Sequence, residues 1–416
     1  MVESAGVRDE AGAVAAAAVD PAALAADLGA LVRVSSVTGR ERPAVELLAR
    51  LAERRGLAAE LWEHDLAALR AHPDHPGEEV AREELVGVAI TLEGGAGRRL
   101  CLDGHLDVVD AGGAEWQFDP WAGDEVDGFV RGRGAADMKG GVVAALHGMA
   151  AARAVLGGPP GEVVLYGVSG EEDGGLGTFA ALERDDRFDA CLIPEPTGFD
   201  VVCAQAGALT FAGVVPGVAA HAALRLEGIS AIDRYLPIHA ALHEHERDIN
   251  TGVEHPLMRE LALPYPIVVG RLEAGTWSSQ VPDLLRFEGR LGVRVGDTPA
   301  QARAELEAVV ARACPEAKLS WRGGQFAPAE TPSDHPFPTL VAAVLEAEIE
   351  RRPRFTGVSY GADMRLFCAR RIPCVMAGTE GIELAHAANE RVKTDQVVRL
   401  ARGIARLIVG FGRVGS

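Results

Sequence analysis

The sequence predicts an α/β protein, in which a domain with a mostly parallel sheet between helices is interrupted by a small ferredoxin-like α+β domain. Three observations carry this expectation. The 416 residues are too many for one comfortable hydrophobic core, so two domains are the default. Apolar strand-like runs alternate with helical spacing on both sides of a middle segment, the order that builds a parallel sheet. Within that middle segment the order becomes β-α-β-β-α-β, which is the plan of a ferredoxin-like unit with helices on one face.

The elements follow in order. Residues 1–20, "MVESAGVRDEAGAVAAAAVD", read as a mobile Ala-rich tail. Helical spacing appears over 21–34 and again over 43–56, with Gly56 as the stop. Apolar runs at 59–63, 85–92 and 100–109 read as strands. A long helix is expected over 139–156, with Val142, Val143, Leu146 and Met149 on its apolar side. "EVVLYGVS" and "ACLIPEP" are strands flanking a short helix at 176–183. From 208 to 323 come a strand (208–221), a helix (230–248), two strands (266–275 and 284–295), a helix (298–313) and the strand "AKLSWRG". Helices at 335–350, 362–370 and 394–410, with the strand "PCVMAG", then resume the first pattern. The expected division is therefore a tail (1–20), one domain in two pieces (21–207 and 324–416) and an inserted domain (208–323).

Composition removes several functions. A net charge of −19 argues against nucleic acid or an anionic membrane as the main partner. The N-terminus has no basic start followed by a long apolar core, and no apolar stretch reaches the length of a membrane span. Six scattered cysteines without a CxxC pair are the usage of a reducing compartment. The expectation is a cytoplasmic protein.

The chemistry lies at strand ends. "LCLDGHLDVVD" is an apolar strand that carries Asp103, His105 and Asp107 out of its end, and burying such groups together is costly without compensation. Ligands of open α/β sheets gather at the carboxyl ends of strands. Further polar clusters fall at such places or in loops: Asp137 in "GAADMKGG", Glu171 and Glu172 in "SGEEDGG", Glu195 in "PEPT" and His386 in "LAHAANE". Each alone has a bland reading. A lone loop histidine is usually a surface residue, "GEEDGG" is a good acidic turn, and Asp137 could simply cap the helix after it. Together, two imidazoles and several carboxylates form a donor set suited to zinc, cobalt or manganese. So many carboxylates suit two ions sharing one of them better than a single ion. His105 and Asp107 lie two apart on an extended chain, so Asp107 is expected to hold the His105 ring.

The ordered set "GHLDVV", "WQFDPW", "DGFVRGRGAADMKGG", "VSGEEDGGLGT", "PEPT", "AAH" and "LAHAANE" resembles the di-zinc amidohydrolase and exopeptidase family. That family holds aminoacylase, acetylornithine deacetylase, succinyl-diaminopimelate desuccinylase and glutamate carboxypeptidase. The resemblance covers nearly the whole chain after the tail. It implies the same two-domain plan, with the divided domain holding the metals and the inserted one acting as a lid and dimerisation domain. It assigns His105 and Glu195 to one metal ion, Glu172 and His386 to the other, and Asp137 to both. Glu171 would be the general base, and the Asp137–Met138 peptide would be cis. In a homodimer formed through the inserted domain, His221 of "GVAAHAA" would reach the partner's site to stabilise an oxyanion. Arg290 of "FEGR" would bind a substrate carboxylate.

The implied reaction is hydrolysis of the amide of a small N-acylated amino acid, with Glu171 moving the proton. "YGADMRLF" resembles the deacetylase and desuccinylase branch, while an exopeptidase acting on short peptides would use the same site. An inactive metal-binding or scaffold protein is the distant alternative; it should have lost a ligand or the base, and all six positions are filled. The chain departs from the family pattern at "ALRLEGIS" after His221, at Ser279 and at Glu380. These positions bear on the substrate and leave the metal ligands alone.

Overall fold

The computed structural model describes residues 2–156 and 159–411. Its largest sheet has nine strands. From one edge the order is Ala58–Glu63, Val86–Leu92, Val163–Val168, Leu100–His105, Ala190–Ile193, Cys374–Met376, Val201–Gln205 and Ala329–Glu330, with Phe355–Val358 also paired to Val201–Gln205. The four central strands, from Val163–Val168 to Cys374–Met376, run parallel. Antiparallel pairs flank them on both sides. Central strands of this kind are covered on both faces, so they read as unbroken apolar runs. Leu100–His105 is buried at every residue.

Helices cover the sheet. Gly140–Leu156 and Thr394–Phe411 pack against each other and bury Val142, Val143, Leu146, Leu400, Ile404 and Leu407 completely or nearly so. The expected mobile tail is corrected here. Val2–Ala17 is a helix lying on Thr394–Phe411 and Gly140–Leu156, and Ala15, Ala16 and Val19 are buried. Alanine is the strongest helix former and its small face permits close approach, so a segment of low complexity can still pack. Gly12 shows that proximity, since a Cβ there would lie 3.5 Å from Arg406 Cγ.

The second sheet has four antiparallel strands in the order Ile267–Ala274, Leu284–Val293, Gly207–Pro216 and Lys318–Phe326. Ala231–Asn250 and Pro299–Ala313 supply its helices, giving the ferredoxin-like arrangement. Burial along Gly207–Pro216 alternates strictly, with Leu209, Phe211 and Val215 facing the helices in a core separate from that of the large sheet. Val201–Gln205, which the sequence pattern merged into its surroundings, runs directly through Ala206 into Gly207–Pro216. The chain thus passes from one sheet to the other with almost no linker.

At that junction three backbones meet closely. A Cβ on Gly77 would lie 2.0 Å from the Gly323 carbonyl oxygen, and one on Gly174 would lie 2.2 Å from that of Gly77. Gly77 and Gly174 also have positive φ, so both the space and the conformation exclude a side chain. No single helix among the described residues is long and apolar enough to cross a membrane.

Candidate active site

The strand Leu100–His105 ends with His105, whose ring is almost completely buried. Its Nδ1 donates to the Asp107 carbonyl oxygen at 2.9 Å, which leaves Nε2 facing the cleft. That nitrogen lies 3.3 Å from Asp137 Oδ1 and 3.7 Å from Glu195 Oε1. On the other side, His386 Nε2 is 2.9 Å from Glu172 Oε2 and 3.5 Å from Asp137 Oδ2. Asp137 therefore stands between the two imidazoles, one carboxylate oxygen toward each. His105, Asp137 and Glu172 offer ligand atoms all within 4.8 Å of one another.

The elements around the cluster fix each group. Asp137 follows Gly134, whose positive φ turns the chain after the strand Phe129–Arg131, and the Asp137–Met138 peptide is cis. Glu390 Oε1 accepts the Ala136 and Asp137 N–H groups at 2.9 and 3.1 Å, while Glu390 Oε2 takes Arg133 Nη1 at 2.8 Å. Glu171 and Glu172 sit on the turn that leaves Val163–Val168, closed by Gly175 N–H on the Gly170 oxygen at 2.8 Å.

Asp107 does something other than hold the His105 ring. Its Oδ1 accepts Glu171 N–H at 3.2 Å and its Oδ2 accepts Glu172 N–H at 3.1 Å. Its nearest oxygen to the ring is 3.8 Å away, beyond a hydrogen bond. The expectation from spacing placed both side chains on one side of the strand; the chain instead leaves the strand after His105, and the carboxylate turns to cap the acidic turn.

Two arginines outside the expected set brace the same turn. Buried Arg82 pairs with Asp173 at 2.8 Å and Glu41 at 3.3 Å, and Arg365 Nη2 donates to the Gly174 oxygen at 2.6 Å. Arg365 and Asp363 belong to "GADMRLF", where the alternation of charge with apolar residues was the available signal. Arg133 and Glu390 lie inside the stretches "DGFVRGRGAADMKGG" and "LAHAANE", but nothing local marked their pairing or singled out Arg82, because the partners are distant in sequence.

Electrostatics at the cluster call for positive charge. Burial, with Asp363 next, pushes Glu171 well above the usual carboxylate range; burial and Asp137 do the same to Glu195. Glu172 is also raised, again chiefly by burial. Burial opposes a charged His105, yet Asp137, Glu195 and Asp107 raise its pKa well above the ordinary value. The Glu172 hydrogen bond raises His386. Carboxylates pressed together this closely favour a neighbouring positive charge, which a bound cation would supply. The donor set of two imidazoles and three carboxylates, with Asp137 facing both imidazoles, fits a pair of divalent ions.

The cluster forms the floor of a cleft of about 460 Å³ between the two sheets. Asp137, Glu171, Glu172, Glu195 and His386 line it together with Arg290 from the smaller domain. Val268, Leu291, Phe326 and Tyr360 supply apolar wall, and Arg290 is the only arginine or lysine among the lining residues described. Its guanidinium lies 5.5 Å from the Phe326 ring centre. His221 is elsewhere: exposed, with Nδ1 accepting Ala223 N–H at 3.1 Å, beside Gln280 and outside the cleft of its own chain. Ser279 is near it, its carbonyl accepting Ala222 N–H at 2.9 Å.

A divided α/β domain with this cluster at its strand ends, and a ferredoxin-like domain over it, define a metallohydrolase. Residues 101–409 match the model of peptidase family M20/M25/M40, and the chain belongs to that family. Succinyl-diaminopimelate desuccinylase of Methylobacterium nodulans is 30% identical over 409 residues, covering 94% of this chain and 96% of the relative. The dipeptidase Dug1p of Saccharomyces cerevisiae shares the fold with a TM-score of 0.75 at 13% identity, covering 97% of this chain and 99% of that one. The dinuclear metal binding peptidase YXEP of Bacillus subtilis does so with a TM-score of 0.64 at 16% identity, covering 95% and 99%.

Proposed function

We propose that this metallohydrolase cleaves the amide of a small N-acylated amino acid, with Glu171 as the general base. The observation carrying this reading is the position of Asp137 between His105 and His386, with Glu171 in the same cleft and outside that contact set. His105 and Glu195 would hold one ion, Glu172 and His386 the other, and Asp137 both; zinc, cobalt and manganese suit the donors. Bound there, such ions would lower the pKa of water and polarise a carbonyl.

The chain's own groups do the rest. Glu171 takes a proton from the attacking water as its oxygen bonds to the carbonyl carbon and the C=O π pair moves to oxygen. The C–N bond then breaks, nitrogen keeps the bonding pair, and Glu171 returns the proton to it. The raised pKa of Glu171, from burial and then Asp363, suits a group that must hold that proton between the two events. Arg290 orients the substrate carboxylate through its planar fork. As the only arginine or lysine among the described lining residues, it supports a substrate with one carboxylate and an otherwise apolar surface.

Residues 208–323 act as a lid that closes on the substrate and excludes water, a reading supported by their separate core. The same domain makes a homodimer in which the exposed His221 serves the partner's cleft. Six free cysteines support a cytoplasmic setting.

The test pairs Glu171→Gln with a substrate panel of N-acetyl, N-succinyl, N-formyl and N-carbamoyl amino acids beside dipeptides. Glu171→Gln should keep two metal equivalents while kcat falls by about 10²–10⁴-fold. Loss of a metal equivalent would show that Glu171 is a ligand instead. Faster cleavage of dipeptides than of any acyl amino acid would make the protein an exopeptidase.

A further inference from the structure

Tyr360 is a cleft residue to which neither the sequence nor the mechanism above gives a task. It sits on the short loop between Phe355–Val358 and Met364–Ala369, and its ring packs on the main core. That loop is pinned on both sides. The Val358 oxygen accepts Ala206 N–H at 2.9 Å, and the Ala362 oxygen accepts Gln205 Nε2 at 3.0 Å and Arg365 Nη1 at 2.9 Å. A Cβ on Gly361 would lie 2.5 Å from Phe326 Cβ, so the backbone next to Tyr360 is wedged against the domain junction. The Tyr360 ring is thus held by both its own packing and its backbone.

Its hydroxyl makes no hydrogen bond among the described residues, although it lines a cleft walled by Asp137, Glu171, Glu172 and Glu195. Of the other polar side chains of that floor, the carboxylates of Asp137, Glu172 and Glu195 face the imidazoles of His105 and His386. Among the described lining residues the other neutral side-chain O–H is that of Ser359, and His221 of the same chain stands outside the cleft.

We propose that Tyr360 is a further catalytic residue, donating a hydrogen bond from the same chain to the scissile carbonyl oxygen as negative charge develops on it. The proposal rests on the amide-hydrolysis reading above. Tyr360 gives up no proton, and the bonds made and broken are those already described. A fixed donor aimed at developing charge stabilises the transition state more than the substrate, which places its effect in kcat.

The experiment compares wild type and Tyr360→Phe as full-length, metal-loaded protein. Phenylalanine keeps the ring packing and removes only an oxygen that bonds to no described residue, so the fold should be retained. The expected result is a kcat reduced by about 10²–10³-fold with KM little changed. Affinity for a phosphinate analogue of the tetrahedral species should fall in step, while affinity for the amino-acid product and the metal content stay as in wild type. An unchanged kcat, or an unchanged affinity for the phosphinate, overturns the proposal. A rise in KM alone makes Tyr360 a wall of the cleft, and loss of metal makes it a support for the ligands; either overturns it too. A wild type that cleaves no amide in the panel overturns the hydrolase reading itself, which is a separate and distinguishable failure.

Discussion

Asp107→Asn separates two roles that one carboxylate could play beside this cluster. In the structure both of its oxygens are committed to the acidic turn, one to Glu171 N–H at 3.2 Å and one to Glu172 N–H at 3.1 Å. Thr38 Oγ1 adds a third donor at 3.3 Å. Asparagine keeps one acceptor and turns an NH₂ toward the other backbone N–H. One hydrogen bond to a charged group is lost, worth about 1.5–3 kcal/mol, and a donor now faces a donor. That converts to roughly a 10–100-fold smaller population of the ordered turn. The expected outcome is a fall of that size in kcat/KM, since the proposed base Glu171 and the proposed ligand Glu172 share the turn. The His105 ring should be unaffected, because its Nδ1 donates to the Asp107 carbonyl, which the substitution leaves in place. Steady-state kinetics measure the first effect, and nitrogen NMR of labelled histidine measures the second. A displaced His105 ring signal with kinetics near wild type would refute the argument and restore the role expected from spacing.

Two further outcomes follow from other parts of the molecule. Burial, and then Arg184, lowers the His64 pKa from 6.5 to about 4. The unfolded chain therefore takes up a proton on this residue below pH 6.5 while the folded one does not until about pH 4, so stability falls as pH drops through that window. The full loss is up to about 3 kcal/mol, and urea titrations should show it in wild type relative to His64→Leu; parallel pH curves for the two proteins would refute it. For the dimer, mixing inactive His221→Ala chains with inactive Glu171→Gln chains should restore some activity after subunit exchange. A wild type that is fully active as a monomer would remove that role from His221.

What could be read in the sequence, and what could not, divides by the range of the interactions. The fold was legible because strand Leu100–His105 opens on an apolar run, its neighbours Val163–Val168 and Ala190–Ile193 carry no charged residue, and Gly207–Pro216 alternates with period two. The missed strand Val201–Gln205 adjoins Gly207–Pro216 with only Ala206 between, so no turn residue announces two elements in two sheets. The helix Val2–Ala17 was missed for a different reason: alanine-rich composition says little about whether a partner surface exists. Gly140–Leu156 and the C-terminal helix, both far along the chain, supply one.

The same rule governs the site. Metal-ligand candidates stand immediately beside strand ends or in short acidic and histidine motifs, so each carries its own local mark. The groups that aim them do not. Glu390 reaches Asp137 across 253 positions, Arg82 reaches Asp173 across 91, and Glu171 finds Asp107 across 64. The last of these contacts depends on the sheet order, which brings Leu100–His105 against Val163–Val168 and sets the acidic turn beside Asp107. Chemistry could therefore be inferred before geometry, but the role of the Asp107 carboxylate could not. Asp107 shows the consequence: spacing alone gave its carboxylate the His105 ring, and the folded chain gives it the acidic turn. Its role followed from the neighbouring strand rather than from its own.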